Sequence, residues 1–145
     1  MQTLIKRSFT VPVSVDVAWN HFARVEQWTT WAKHIKQLEL TGDKELGADS
    51  QGIIHLQNGV KSTFAMTEFN LHRNWKWVGP FLWLTIHYDH QFRSLGDDST
   101  EMTFIVKADG FAVSVLGRIF AIVYNGNLDV AIPKLIQEYE QIASN

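Results

Sequence analysis

The chain of 145 residues contains no cysteine. That excludes disulfide staples, thiolate nucleophiles and cysteine-ligated zinc, and it fits a reducing compartment. Basic surplus is missing too: 13 Lys and Arg stand against 15 Asp and Glu, a net charge of -2. No general attraction to nucleic acid or anionic membrane follows from such a balance. The densest basic pair, Lys6-Arg7, reads as a solvated strand face. The opening MQTLIKRSFTVPV lacks the apolar stretch of a signal peptide, and no run approaches the ~18 apolar residues of a membrane span. A cytoplasmic protein without stable membrane insertion is therefore expected. Catalytic signatures are equally scarce. There is no His-Glu-x-x-His and no Gly-x-Ser-x-Gly, and the Gly42-to-Gly47 spacing lacks the Lys-Ser/Thr that completes a phosphate loop. His87 shares a strand face with Asp89, but His87 and His90 have opposite parity and cannot chelate one ion. No metal and no cofactor are expected.

What is plentiful is aromatic. Six Trp and nine Phe sit in a chain that is 46% hydrophobic and 19% charged. A single domain over residues 1–145 should bury roughly 70% of its unfolded surface, and so many rings require either a large apolar interior or a lined cavity. Leu4 to Thr10 alternates as a strand and Pro12 ends it. Ser14 then stands as an N-cap with Asp16 in the first helical turn, followed by Val15, Ala18, Trp19 and Phe22 at helical spacing. Val25, Trp28, Trp31 and Ala32 mark a second short helix. From Ile35 to Asp109 the period is two, with strands predicted over 35–41, 51–57, 60–70, 73–79, 82–93 and 99–109. Asn58-Gly59 suggests a type I′ hairpin, and short turns throughout imply an antiparallel meander. After Gly110 the pattern is helical to the end. Asn125-Gly126-Asn127 and Pro133 predict a kink or break near 125–133. Unbroken, about 30 residues would span roughly 45 Å.

This order of elements, together with particular residues, resembles the START-like or SRPBCC superfamily, in its polyketide cyclase/dehydrase branch. The residues are Phe9-Thr10-Val11-Pro12-Val13-Ser14-Val15-Asp16-Val17-Ala18-Trp19, Val25-Glu26-Gln27-Trp28-Thr29-Thr30-Trp31, Gly47 and Trp75-Lys76-Trp77-Val78-Gly79. The resemblance implies an α+β helix-grip fold: a curved antiparallel sheet of about seven strands around a long C-terminal helix, with two short helices after the first strand. It also implies a cleft between sheet and helix for a small hydrophobic molecule such as a lipid, isoprenoid or aromatic polyketide.

Strand parity selects the residues that would line such a cleft. The expected ligand-binding set is Phe64, Met66, Glu68, Trp75, Trp77, Tyr88, His90, Phe104, Phe120 and Tyr124, with Val123 and Asn127 approaching from the helix. Glu68, Tyr88 and His90 are the candidate proton-handling groups: a carboxylate among apolar side chains has its pKa raised, and a Tyr-His pair can donate to a carbonyl or enolate oxygen. Three functions compete. One is binding of a small hydrophobic ligand without cofactor, another a cofactor-independent polyketide cyclase or dehydratase. The third is a protein-interaction module, which predicts a filled interior and an exposed apolar patch, with outward-facing Trp83 as its hint. Either ligand function needs a cavity of at least a few hundred cubic ångströms.

Overall fold

A computed structural model describes all residues from Met1 to Asn145. Strand β1 (Gln2–Val11) leads through helix α1 (Val15–Phe22) and a short 3₁₀ helix (Val25–Thr30) into six strands: β2 (Ile35–Thr41), β3 (Gln51–Leu56), β4 (Lys61–Asn70), β5 (Asn74–Phe81), β6 (Leu84–Gly96) and β7 (Ser99–Asp109). Helix α2 (Val113–Ala143) closes the chain. The seven strands form one antiparallel sheet in the order β1-β7-β6-β5-β4-β3-β2. Consecutive strands from β2 to β7 are neighbours, as short turns require. β1 returns to pair with β7, bringing Phe9 opposite Met102 and Arg7 opposite Phe104. This is the α+β helix-grip architecture.

Two features shape the concave face. Gly52 lies opposite Phe64, and a Cβ there would come within 2.4 Å of both the Phe64 ring and the Glu39 carbonyl oxygen. Only glycine lets Phe64 lie flat across β3. The β3–β4 hairpin forms as expected, but its turn is of another type. Of the two central residues only Gly59 has positive φ, at 91°. Gly59 N–H donates to the Leu56 carbonyl and Leu56 N–H to the Val60 carbonyl, the three-residue loop in which a type I turn is followed by a glycine bulge.

The expected interruption of α2 is absent: the helix runs unbroken through Asn125-Gly126-Asn127 and Pro133. Pro133 is exposed, so the Asp129 carbonyl that loses its partner lies toward water. The Asn125 side chain is engaged by Arg7, 3.3 Å away, and the next turns are pinned by buried Leu128, Ala131, Ile132, Leu135 and Tyr139. Tertiary packing overrides the local propensity. Arg7 itself is a correction. It is no solvated strand residue but turns onto the helix-facing side and reaches Asp129 at 2.9 Å.

At the C-terminal end α2 grips α1. The Tyr139 hydroxyl is buried and donates to the Ala18 carbonyl at 2.8 Å, while His21 Nε2 lies 2.8 Å from Glu138 Oε1. Tyr139→Phe is expected to cost about 1 kcal/mol of unfolding free energy by removing that one bond, read as a lower urea midpoint at unchanged m-value. An unchanged midpoint would show that the bond contributes nothing net.

Candidate functional site

The concave face is divided into two halves that differ in kind. Beneath α1 and the 3₁₀ helix it is sealed. Trp19, Phe22 and Trp28 descend onto Trp75, Trp77, His90, Phe92 and Phe104, all buried. Phe22 stacks on Phe104 with centroids 5.4 Å apart, Trp28 meets Trp77 at 5.4 Å, and Phe64 packs on Trp77 at 4.3 Å. These offset and edge-on contacts fill space that the sequence reading assigned to a ligand. Trp75 Nε1 is the one fully enclosed side-chain donor left without a hydrogen-bond partner.

His90 belongs to this sealed half. It is 5% exposed, its Nδ1 lies 3.3 Å from the Trp75 carbonyl oxygen, and rings of Phe22, Trp28, Trp75, Trp77 and Phe104 surround it. Burial pushes its pKa down to about 3, against which the Trp75 carbonyl pulls only weakly upward. The imidazole is neutral at physiological pH. Although Tyr88 shares its strand face, the two side chains enter different halves, so the expected Tyr-His pair does not form.

Beneath the first half of α2 the face is half open. Phe81, Tyr88, Phe120 and Tyr124 are each partly buried. Phe120 lies 5.1 Å from Phe81 and stacks on Tyr124 at 5.4 Å, and Tyr124 meets Tyr88 at 5.8 Å. No protein group hydrogen-bonds either phenol, and neither oxygen is fully enclosed. Both hydroxyls therefore keep slight contact with solvent at the edge of this aromatic cluster. Burial raises both pKa values, and for Tyr88 the neighbouring Tyr124 adds to the rise. Both stay protonated and can donate.

Two expectations fail here. Glu68 is not in the cleft. The β4–β5 register shifts between Met66 and Glu68, so the bulge at Thr67 turns Glu68 to the outer face opposite Lys76 and sends Phe69 inward against Trp19. There Glu68 accepts from Asn74 at 2.7 Å and lies 3.8 Å from Lys76 Nζ. Val123 is 62% exposed and faces away from the sheet. Of the remaining residues, Phe64, Trp75, Trp77, His90 and Phe104 fall in the sealed half, and Tyr88, Phe120 and Tyr124 in the open half. Met66 lies partly buried in register with Trp77. Phe81 was missed because Gly79-Pro80 was read as the end of β5. The parity Trp75, Trp77, Gly79, Phe81 carries straight through it and would have found it. The core aromatic Phe69 is hidden from sequence by the bulge, while Phe92 is buried as its inward parity predicts.

Neither of two concavities on the sheet is the expected apolar cavity. One of about 450 Å³ is lined by Glu68, Arg73, Lys76, Asp89, Arg93 and Glu101, among others, and another of about 370 Å³ by residues around Thr63 and Pro80. Both open on the outer face of the sheet.

Fold and cleft together define a helix-grip protein of the START type. Residues 2–140 match the family described as "Polyketide cyclase / dehydrase and lipid transport", and the chain belongs to that family. Among solved structures, a Thermobifida fusca protein aligns with a TM-score of 0.77 at 12% identity over 97% of this chain and 95% of its own. The Zhui aromatase/cyclase from Streptomyces sp. R1128 aligns with a TM-score of 0.69 at 14% identity, covering 94% of this chain and 93% of that one. A START superfamily protein from Mycobacterium smegmatis gives 0.68 at 13% identity, covering 98% and 99%. At such identities the likeness is one of fold. No curated protein matches the sequence.

Proposed function

We propose that the chain binds a small, uncharged hydrophobic molecule between the first half of α2 and strands β5 and β6, without transforming it, in a half-open cleft rather than in the enclosed cavity expected from the sequence. The observation that carries this reading is the pair of adjacent phenols, Tyr88 and Tyr124, protonated and unpartnered within the Phe81–Phe120 wall. Apolar walls supply affinity at roughly 25 cal/mol per Å² buried, and two convergent donors orient a ligand bearing a carbonyl or ether oxygen. The membership in a cyclase and lipid-transport family supports the same ligand class. Turnover is disfavoured by the placement of the proton-handling candidates: Glu68 is outside, His90 is sealed, and the phenols are poor bases with raised pKa values.

The test uses 1,4-naphthoquinone, a planar carbonyl probe that meets no thiol in this chain, and naphthalene as its counterpart without oxygens. Quenching of tryptophan fluorescence should show saturable naphthoquinone binding. In the Tyr88→Phe/Tyr124→Phe double variant that affinity should fall about tenfold, the loss of one to two hydrogen bonds, while naphthalene binding stays unchanged. Absence of saturable binding by both probes, with no small molecule retained in native mass spectrometry of gently purified protein, would sink the reading. The filled half under α1 and an exposed apolar helix face favour protein interaction as a second activity.

A further inference from the structure

The outward face of α2 changes character along its length. Its second half shows water the usual polar side chains, Lys134, Gln137, Glu140 and Gln141. From its start to just past its midpoint it exposes Val115 at 63%, Ile119 at 51%, Ile122 at 69%, Val123 at 62% and Val130 at 55%. These residues fall on two neighbouring ridges of i,i+4 spacing, Val115-Ile119-Val123 and Ile122-Gly126-Val130, the geometry that packs into the grooves of another helix. Gly126 leaves a notch in the second ridge, where an added Cβ would meet nothing within 4 Å. A contiguous apolar surface of this kind marks an interaction site.

We propose that this face is a self-association surface on which a second copy of the chain docks with its α2 antiparallel. Charge decides both the occupant and the direction. Between Val113 and Ile132 the only charged residues are Arg118 and Asp129, three turns apart and on the same flank of the stripe. A parallel two-fold pair would set this charged flank against the uncharged opposite flank of the other copy, leaving both charges without a partner across the interface. An antiparallel pair, with its two-fold axis near Ile122 and Val123, sets each Arg118 beside the other copy's Asp129. The same axis brings Ile119 to the Gly126 notch of the second copy and Val115 to its Val130. Asp129 keeps its 2.9 Å contact with Arg7 and is still 67% exposed, so it is free to receive a second cation. Helices that lie on bilayers border their apolar face with Lys and Arg. Here the border is one residue of each sign, which neutralises itself in a two-fold pair and offers little to an anionic surface. Length and composition alone would also admit α2 as a membrane-crossing helix; the charge pattern of the face favours a second copy. The inference is independent of the ligand cleft, which lies on the opposite side of the helix.

Sedimentation equilibrium of the full chain should show a monomer–dimer equilibrium in the micromolar range. Gly126→Leu fills the notch from the solvent side and improves helix propensity, so it should leave the thermal midpoint of the monomer unchanged or higher while raising the dimer Kd at least tenfold. Arg118→Glu should weaken the dimer and invert its response to salt. A monomer at every concentration, or a dimer indifferent to both substitutions, would overturn the proposal. So would a monomer that binds phosphatidylcholine vesicles and loses that binding in Ile122→Glu, because the face would then belong to lipid.

Discussion

Phe22→Ala is expected to remove about 4 kcal/mol of unfolding free energy, enough to leave a domain of ordinary stability marginal or unfolded. Phe22 is the last residue of α1 and is 1% exposed. Its ring stacks on Phe104 at 5.4 Å and 20°, lies 4.7 Å from Trp28, 5.3 Å from Trp75 and 5.6 Å from Trp31, and meets Phe92 at 5.8 Å. Truncation loses the transfer energy of the ring and leaves a cavity among large planar neighbours. Those neighbours cannot collapse to fill it. Trp75, Phe92 and Phe104 are fixed by strand register, and Trp28 is tethered by its Nε1–H, which donates to the Phe22 carbonyl at 2.7 Å. Phe22→Leu keeps most of the volume and should cost about 1.5 kcal/mol. Chemical denaturation of the two variants measures both. A cost below about 1 kcal/mol for Phe22→Ala would mean that the aromatic box is loose enough to close, and the description of a sealed half would be wrong.

The contrast between the two halves explains which parts of the molecule could be read from sequence. Strand order and parity followed from period-two alternation and short turns, because each strand buries one face and a register slip would expose all of it. The long helix followed from its period as well. Its continuity did not, since Asn125, Gly126 and Pro133 carry local signals that only the contacts of Arg7 and Leu128–Tyr139 override. The bulge at Thr67 was invisible for a similar reason: one extra residue in β4 reverses the side of Glu68 and Phe69 without altering composition. Inward parity correctly grouped Tyr88 with His90 but said nothing of which helix covers each. Tyr88 lies under α2, 5.8 Å from Tyr124, and His90 lies under Phe22 and Trp28. The chemistry of a site depends on that covering layer.

Acid should destabilise the protein through His90 in particular. Its folded pKa, about 3, lies below the ordinary 6.5 because burial penalises the charged ring. The folded state therefore holds the imidazole neutral over the whole interval between those values, while the unfolded chain takes up a proton as pH drops through 6.5. More protons bound in the unfolded state means that stability rises with pH in this window. The contribution is complete above pH 6.5 and is lost as pH falls toward 3, at a slope approaching about 1.4 kcal/mol per unit and a total on the order of 5 kcal/mol. His34, whose pKa burial also lowers, acts in the same direction. His90→Gln removes the titration and retains a donor for the Trp75 carbonyl. Unfolding free energies of the two proteins, measured from pH 7 down to pH 4, should therefore diverge, with the variant losing less. Equal slopes would mean that His90 is already solvated in the folded state. In that case the ring would be free to carry a proton, and catalysis in the sealed half would return as a reading. A slope carried by His90 would support the reading in which the proposed ligand meets Tyr88 and Tyr124 rather than the sealed half.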